Sequence, residues 1–302
     1  MKYYLLFFLI LQQLCAQAQI DTIQSKIGLE SFLKRQYRYT SIELHEVNTV
    51  IEDSTATRSA QHQYWLKADF NHDGITDLFV SATVQKGKRI NKGEIFIVAS
   101  NGKRFTKVDI DGTDVNFMQR KDASYSIFSN FNRHYLVIKS LESRIVKLKG
   151  KIGGYKQTFE ILQDTLFVQD FKPMIFTSHP ESRFVKTVSF SATQCFGTCP
   201  VFQLTIKNNG TVRYKGVQFV DKVGDLNLIM SKADLKYLES LLAAIKPLSL
   251  SENYHVDYTD APTVYLTVEY SNGQNKAITD YGLSGTYGLS ILYNFLLSLR
   301  HF

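Results

Sequence analysis

Two cysteines, Cys195 and Cys199, bracket the short segment Cys195-Phe196-Gly197-Thr198-Cys199-Pro200, which lies between two runs of alternating apolar and polar residues. Three intervening residues with a glycine at the centre let the chain fold back and bring the two Cβ atoms within bonding reach. In an exported chain a disulfide is the default fate of such a pair. The closed loop is small, so its chain-entropy contribution is only about 2 kcal/mol; it stiffens a turn and leaves the domain to be held by its core. A thioredoxin-like redox centre needs a two-residue gap at a helix start, and here a strand follows Pro200. No second pair lies near enough in sequence to complete a zinc site. The segment therefore predicts a strand, a covalently closed turn and a second strand.

Export is read from the other end of the chain. Met1-Lys2 precedes an apolar core, Tyr3–Leu11, and a small-x-small ending at Cys15-Ala16-Gln17-Ala18. A positive start, a short apolar run and small residues before a cut are the three parts of a secretory signal, with cleavage expected after Ala18. The apolar core is too short to span ~30 Å of hydrocarbon, and Leu14 is bulkier than the residue a lipoprotein signal places before its cysteine. Cleavage would leave Cys195 and Cys199 as the only cysteines, in the periplasm, at the outer membrane or outside the cell. The mature chain has no stretch long and apolar enough to cross a bilayer. A net charge of +7 raises the question of nucleic acid, but the lysines and arginines are scattered, without a dense block or a reader motif, and no nucleic-acid partner is expected.

Punctuation at Pro173, His179-Pro180 and Glu181-Ser182 divides the mature chain into an expected β domain at 19–178 and an α+β domain at 183–302. In the first, a helix is expected over 21–36 with Ile23, Ile27, Phe32 and Leu33 on one face. Strands flank an acidic loop at 63–68 and 78–84, and Asn101-Gly102 signals a hairpin. Further extended segments are expected at 124–128, 134–140, 144–149, 156–162 and 165–170, with turns at Gly153-Gly154 and Gln163-Asp164. In the second domain Phe184, Lys186, Val188 and Phe190 share a strand face, and Phe202, Leu204 and Ile206 alternate with polar residues. Ser231 and Asp234 open a helix with Leu235, Leu238, Leu241, Leu242 and Ile245 on its buried side, and Pro247 stops it. Val264, Leu266 and Val268 lead to a turn at Asn272-Gly273, and a last helix carries Leu289, Leu292, Phe295, Leu296 and Leu299. The expected order is βββαββα, an α+β fold whose two helices cover one face of a sheet.

The acidic loop runs Asp69-x-Asn71-x-Asp73-Gly74-Ile75-x-Asp77. Side chains at its first, third, fifth and ninth places, with the carbonyl of Ile75, form a hard-oxygen set suited to one Ca²⁺, and Gly74 permits the sharp turn. The spacing resembles the calcium loops of FG-GAP/VCBS-type repeats and dockerins. An EF-hand would require a bidentate Glu where this chain has Val80, and its flanks would be helical. His72 is expected to point outward, and Asp109–Asp114 is an echo with the wrong spacing.

The motif Phe190-x-x-x-x-Cys195-Phe196-Gly197-Thr198-Cys199-Pro200-x-Phe202 is followed by Asn209-Gly210-Thr211-Val212-x-Tyr214-x-Gly216, Tyr258-x-Asp260-x-Pro262-Thr263 and Asp280-Tyr281. Over about 184–302 this resembles the DUF6438 family of uncharacterised exported bacterial proteins, with Phe202 standing where the family often has Tyr. The resemblance implies export and no particular activity.

The mixture of ring, imidazole and carboxylate at Tyr254–Pro262 makes His255, Asp257, Tyr258 and Asp260 a candidate surface, joined by Asp280 and Tyr281 if the last two strands pair. The chain is read first as a noncatalytic envelope or secreted protein that binds a protein or glycan partner, with calcium as its one structural cofactor and no residue given a catalytic role. The rival reading is a hydrolase of cell-wall or glycan material using Asp257, Asp260 or Asp280 with His255. No Gly-x-Ser-x-Gly elbow, His-Glu-x-x-His helix or glycine-rich phosphate loop is present in the sequence.

Overall fold

The computed structural model describes residues 20–47, 63–87, 92–102, 104–110, 123–147, 155–256 and 258–301. The expected signal peptide at 1–18, the Gly153-Gly154 turn, Asp257 and most of the Asp109–Asp114 echo lie outside the described residues. The chain divides into two compact units, one holding the residues up to Leu141 together with Ile161–Phe176, the other Glu142–Glu160 and Thr177 onward. It is a β-rich α+β protein, with three α-helices among the described residues.

The first unit begins with helix α1 (Lys26–Tyr37), whose N-cap Ser25 accepts the amide of Gly28. Its Leu29, Phe32 and Leu33 are buried, whereas Ile27, expected on the same face, is exposed. A sheet follows, built from β1 (Ser41–Leu44), β2 (Trp65–Ala68), β3 (Asp77–Gln85), β4 (Lys92–Ser100) and β5 (Phe105–Asp109). The two short strands share one edge of β3: β1 pairs with its second half and β2 with its first. Helix α1 covers one face through Leu78, Val80, Ala82, Phe96 and Val98. The opposite face is buried as well, with the Phe79 ring 4.8 Å from that of Tyr125.

Tyr125 belongs to a second antiparallel sheet of β6 (Ser124–Asn130), β7 (Arg133–Lys147), β8 (Tyr155–Gln169) and β9 (Lys172–Ile175). The turn expected at Gln163-Asp164 does not form, because β8 runs straight through it. Pro173, read as boundary punctuation, sits in the outermost strand of this sheet, where its missing N–H costs no ladder bond.

The second unit is organised on a seven-stranded sheet. Its elements in chain order are β10 (Val185–Ala192), β11 (Val201–Lys207), β12 (Thr211–Gln218), β13 (Gly224–Ile229), α2 (Lys232–Ile245), β14 (Asn253–His255), β15 (Thr263–Tyr270), β16 (Asn275–Tyr281) and α3 (Tyr287–Ser298). Across the sheet the order is β13-β12-β11-β10-β15-β16-β14, antiparallel except for the parallel β14–β16 pair. One face carries Val188, Phe190, Phe202, Leu204, Ile206, Val212, Val264, Leu266 and Val268, all buried. Helices α2 and α3 contribute Leu238, Leu241, Leu242, Leu289, Leu292 and Leu296 to the buried set, and meet edge-to-face through Tyr237 and Phe295, 5.1 Å apart.

From Val185 onward the unit therefore reads ββββαβββα rather than βββαββα. The two added strands are an edge strand rich in poor strand formers, Gly224, Asp225 and Asn227, and a strand too short to show a period. Phe184, expected to share a strand face with Lys186, Val188 and Phe190, precedes β10 and is 82% exposed, and a register shift between Val185 and Thr187 breaks the alternation there.

Candidate functional site

The disulfide loop joins β10 to β11 at one end of the seven-stranded sheet. Cys195 and Cys199 are bonded, with Cα atoms 5.7 Å apart. The loop is also fixed by hydrogen bonds to the chain entering β15: Thr193 N donates to the Thr263 carbonyl at 3.0 Å, and Thr263 N donates to Thr193 Oγ1 at 2.9 Å. Further out, Phe196 N donates to the Asp260 carbonyl at 3.1 Å. With its backbone amide held in this way, Phe196 is still 89% exposed.

The Asp260 loop is fastened in turn to the end of β16. Tyr281 Oη accepts the amide of Ala261, the Tyr281 carbonyl accepts that of Val256, and the Pro262 carbonyl accepts that of Gly282. Gly282 adopts φ +82°, and a Cβ there would lie 2.4 Å from Val256 Cγ2, so both conformation and space call for glycine. His255 pairs with Tyr281 in the parallel register. The sheet thus brings Phe196, His255, Tyr258, Asp260 and Tyr281 to neighbouring positions, with His255 and Asp260 exposed and the two tyrosines half-buried.

Residues 186–300 match the family model of a domain of unknown function, DUF6438. The match runs from β10 through α3 and contains the whole of this loop cluster. No curated protein and no solved structure matches the chain.

Within the DUF6438-matching segment one expected surface residue turns inward. Asp280 is fully buried; its Oδ1 accepts the Ser284 amide at 2.7 Å and its Oδ2 the Gly285 amide at 2.9 Å. It holds the turn that leads to Thr286, the N-cap of α3. Burial, and after it the Asp280 charge, keeps the Tyr293 hydroxyl well above the ordinary phenol range. The inward turn follows from strand parity: Ile278, two residues earlier, is a core residue, so Asp280 shares its face and Tyr281 takes the other. Phe196, the most exposed ring of the cluster, is absent from the residues that the sequence marked as a candidate surface, although the cysteine spacing already put it at the tip of a closed turn.

The acidic loop of the first unit connects β2 to β3. Asp69 accepts the amides of Asp73 and Gly74 at 3.1 and 2.8 Å, Asp73 Oδ1 accepts that of Ile75 at 2.9 Å, and Asn71 Nδ2 reaches the Ser100 carbonyl at 2.9 Å. Asp77 is fully buried, with its Oδ2 accepting from Phe70 N and Asn71 N and its Oδ1 from Ser100 N. Burial pushes its carboxyl up to about 7 against the opposing pull of these backbone donors, and burial also raises Asp73. Each ionised carboxylate has about four lone-pair sites, so these bonds leave acceptor capacity at Asp69, Asp73 and Asp77. Among the described residues, however, no group of three or more His, Cys, Asp or Glu side chains is arranged to hold a metal ion.

His72 does not face solvent freely. Its ring stacks on Phe167 with centroids 5.6 Å apart, meets the edge of Tyr135 at 5.2 Å and bonds through Nε2 to the His134 carbonyl at 3.0 Å. With φ at +61°, the backbone turns the imidazole onto the neighbouring sheet, a tertiary contact that the loop spacing alone does not encode.

Proposed function

We propose that the chain is an exported, noncatalytic binding protein that recognises a protein or glycan partner through the disulfide end of its second unit. The observation that carries this reading is Phe196: a large apolar residue, 89% exposed, on a loop closed by a disulfide and bonded to the Asp260 loop. A ring displayed on a stiff support loses little conformational freedom when a partner covers it, which favours affinity, and buried aromatic anchors dominate binding energy at interfaces. His255, Tyr258, Asp260 and Tyr281 supply a polar surround that suits either partner class. The hydrolase reading is weaker because Asp280, its best-sheltered acid, is committed to backbone amides. No helix among the described residues is long and apolar enough to cross a membrane.

The acidic loop is assigned one structural Ca²⁺ on Asp69, Asn71, Asp73, Asp77 and the Ile75 carbonyl. The ligand order and the φ of +83° at Gly74 support it, and the ion would lie in the first unit, with no part in chemistry. Recognition is tested by placing a photo-crosslinking phenylalanine analogue at position 196 in the full chain, within the native envelope, alongside a glycan array. A crosslinked protein or a retained glycan that Phe196→Ala abolishes is the expected result. Release of soluble fragments from cell-wall or glycan material, lost on Asp260→Ala, would replace binding by hydrolysis.

A further inference from the structure

A cavity of about 420 Å³ opens in the second unit between the chain leading into β10 and helix α2. Its volume lies within the range of small-ligand sites, and it is separate from the disulfide loop cluster, sharing no residue with it. The innermost charge is Glu181, whose side chain is 8% exposed. One carboxylate oxygen accepts the Tyr270 hydroxyl at 3.0 Å and the other pairs with the Arg183 guanidinium. The main chain at Glu181 is fixed as well. Its amide donates to the Ala243 carbonyl at 2.7 Å, a carbonyl whose in-helix donor would be residue 247, a proline without an N–H.

Around this framed carboxylate the walls are of two kinds. Leu242 supplies buried apolar surface, and Phe184, which also lines the cavity, is an 82% exposed residue. Glu239 on α2 adds an exposed carboxylate that makes no ion pair among the described residues. Two carboxylates against one guanidinium give the cavity a local negative balance on a chain whose net charge is +7. A carboxylate attracts an ammonium group by charge, and an aromatic ring lining the same cavity can add the attraction of its quadrupole.

We propose that this cavity binds a small amphipathic cation, a primary amine on an apolar stem, with the ammonium facing Glu239 and Glu181 and the stem against Phe184 and Leu242. The same chemistry is carried by a free alkylamine and by the lysine side chain of a partner protein.

The test is a titration of the full chain followed by ¹H–¹⁵N NMR with three probes: n-hexylamine, N-acetyl-lysine methylamide and hexanoate. The amine should shift amide resonances at Arg183, Phe184, Val185 and Ala243 at millimolar concentration, and hexanoate should not. Binding of the lysine derivative as well identifies a protein side chain as the source, and binding of hexylamine alone a free amine; either supports the proposal. Glu239→Gln should weaken hexylamine binding about fivefold, the scale of a partly exposed ion pair, and Phe184→Ala should weaken it further. Both positions are exposed, so the variants should melt with the wild-type chain. The proposal is overturned if hexylamine shifts none of these resonances, if hexanoate binds as tightly, or if Glu239→Gln leaves the affinity unchanged.

Discussion

The amide of Phe196 donates to the carbonyl of Asp260 across 3.1 Å, and through this bond two loops far apart in sequence share one end of the seven-stranded sheet. The disulfide and the hydrogen bond act on the same few residues: the first closes the loop on itself, and the second sets its direction.

Replacing both Cys195 and Cys199 by serine should therefore leave the second unit folded and lower its stability by about 2 kcal/mol, the loop-closure scale of so short a ring. Non-reducing peptide mapping should recover the two cysteines in one linked fragment of the wild-type chain. In the double variant, hydrogen exchange should quicken around the Phe196 amide while the core of β10 keeps its protection. Global unfolding of that variant would assign the disulfide a larger role than the geometry gives it.

Asp280→Ala removes the acceptor for two backbone amides, those of Ser284 and Gly285. Stranding buried donors costs about 1–3 kcal/mol each, so urea denaturation should show a loss of at least about 2 kcal/mol, with Asp280→Asn milder. His255→Ala, at an exposed position, should stay within about 0.5 kcal/mol of wild type. Equal effects of the two alanine changes would contradict the inward placement of Asp280.

If the acidic loop holds Ca²⁺ with the weak affinity of extracellular modules, on the order of 10⁻⁴ to 10⁻³ M, then about 2 mM calcium against a ~0.2 mM site adds roughly 1.4 kcal/mol to the folded state. Thermal melts with EDTA and then with excess calcium should differ by several degrees, and Asp73→Ala should abolish the difference. His72→Ala should lower the midpoint in both conditions alike, since its ring packs on Phe167 and Tyr135 and is not among the assigned ligands. Absence of both binding heat and midpoint shift in the wild-type chain would reduce the loop to an acidic turn.

Asp77 gives the same loop a pH dependence. Its folded-state pKa of about 7 lies above the ordinary value of 3.8, so between those values the folded chain binds more protons than the unfolded one. The contribution to stability is fully present below about pH 4 and is lost as pH rises through about 7. In EDTA, the Asp77 contribution should therefore decline from pH 5 to pH 8, and Asp77→Asn should flatten that slope. A pH–stability profile identical in wild type and variant would rule the assignment out.

Much of the second unit is legible in the sequence. Ser231 does cap α2 and accept the Asp234 amide, Asn272-Gly273 does turn β15 into β16, and the alternation of Phe202, Leu204 and Ile206 does mark a buried face, because each rests on local chemistry. The strand β13 leaves no such signal, because an edge strand can be built from residues that prefer loops. Asp280 joins the candidate surface through the pairing of β15 with β16, which does form, but strand parity puts it on the buried face with Ile278. For His72 the sequence carried no usable signal, since its place is fixed by Phe167 and Tyr135, distant along the chain. The cavity beside Glu181 is lined by Glu181–Val185 together with residues of α2 and β15, far apart along the chain, so no local pattern marks it.

The position of β10 has a consequence for how the second unit is made. It is the first strand of the seven-stranded sheet to leave the ribosome, yet it finishes in the middle, with β11 on one side and β15 on the other. The hairpin with β11 can form early from local contacts, but the other edge of β10 stays open until Thr263–Tyr270 arrives, after α2. Such distant pairing makes assembly slow, and an open, apolar central edge is a template for pairing with other chains. A nascent chain that paused before Thr263 would expose that edge, so anything that kept the chain unfolded until Thr263–Tyr270 had been made would protect this sheet from its own order of synthesis.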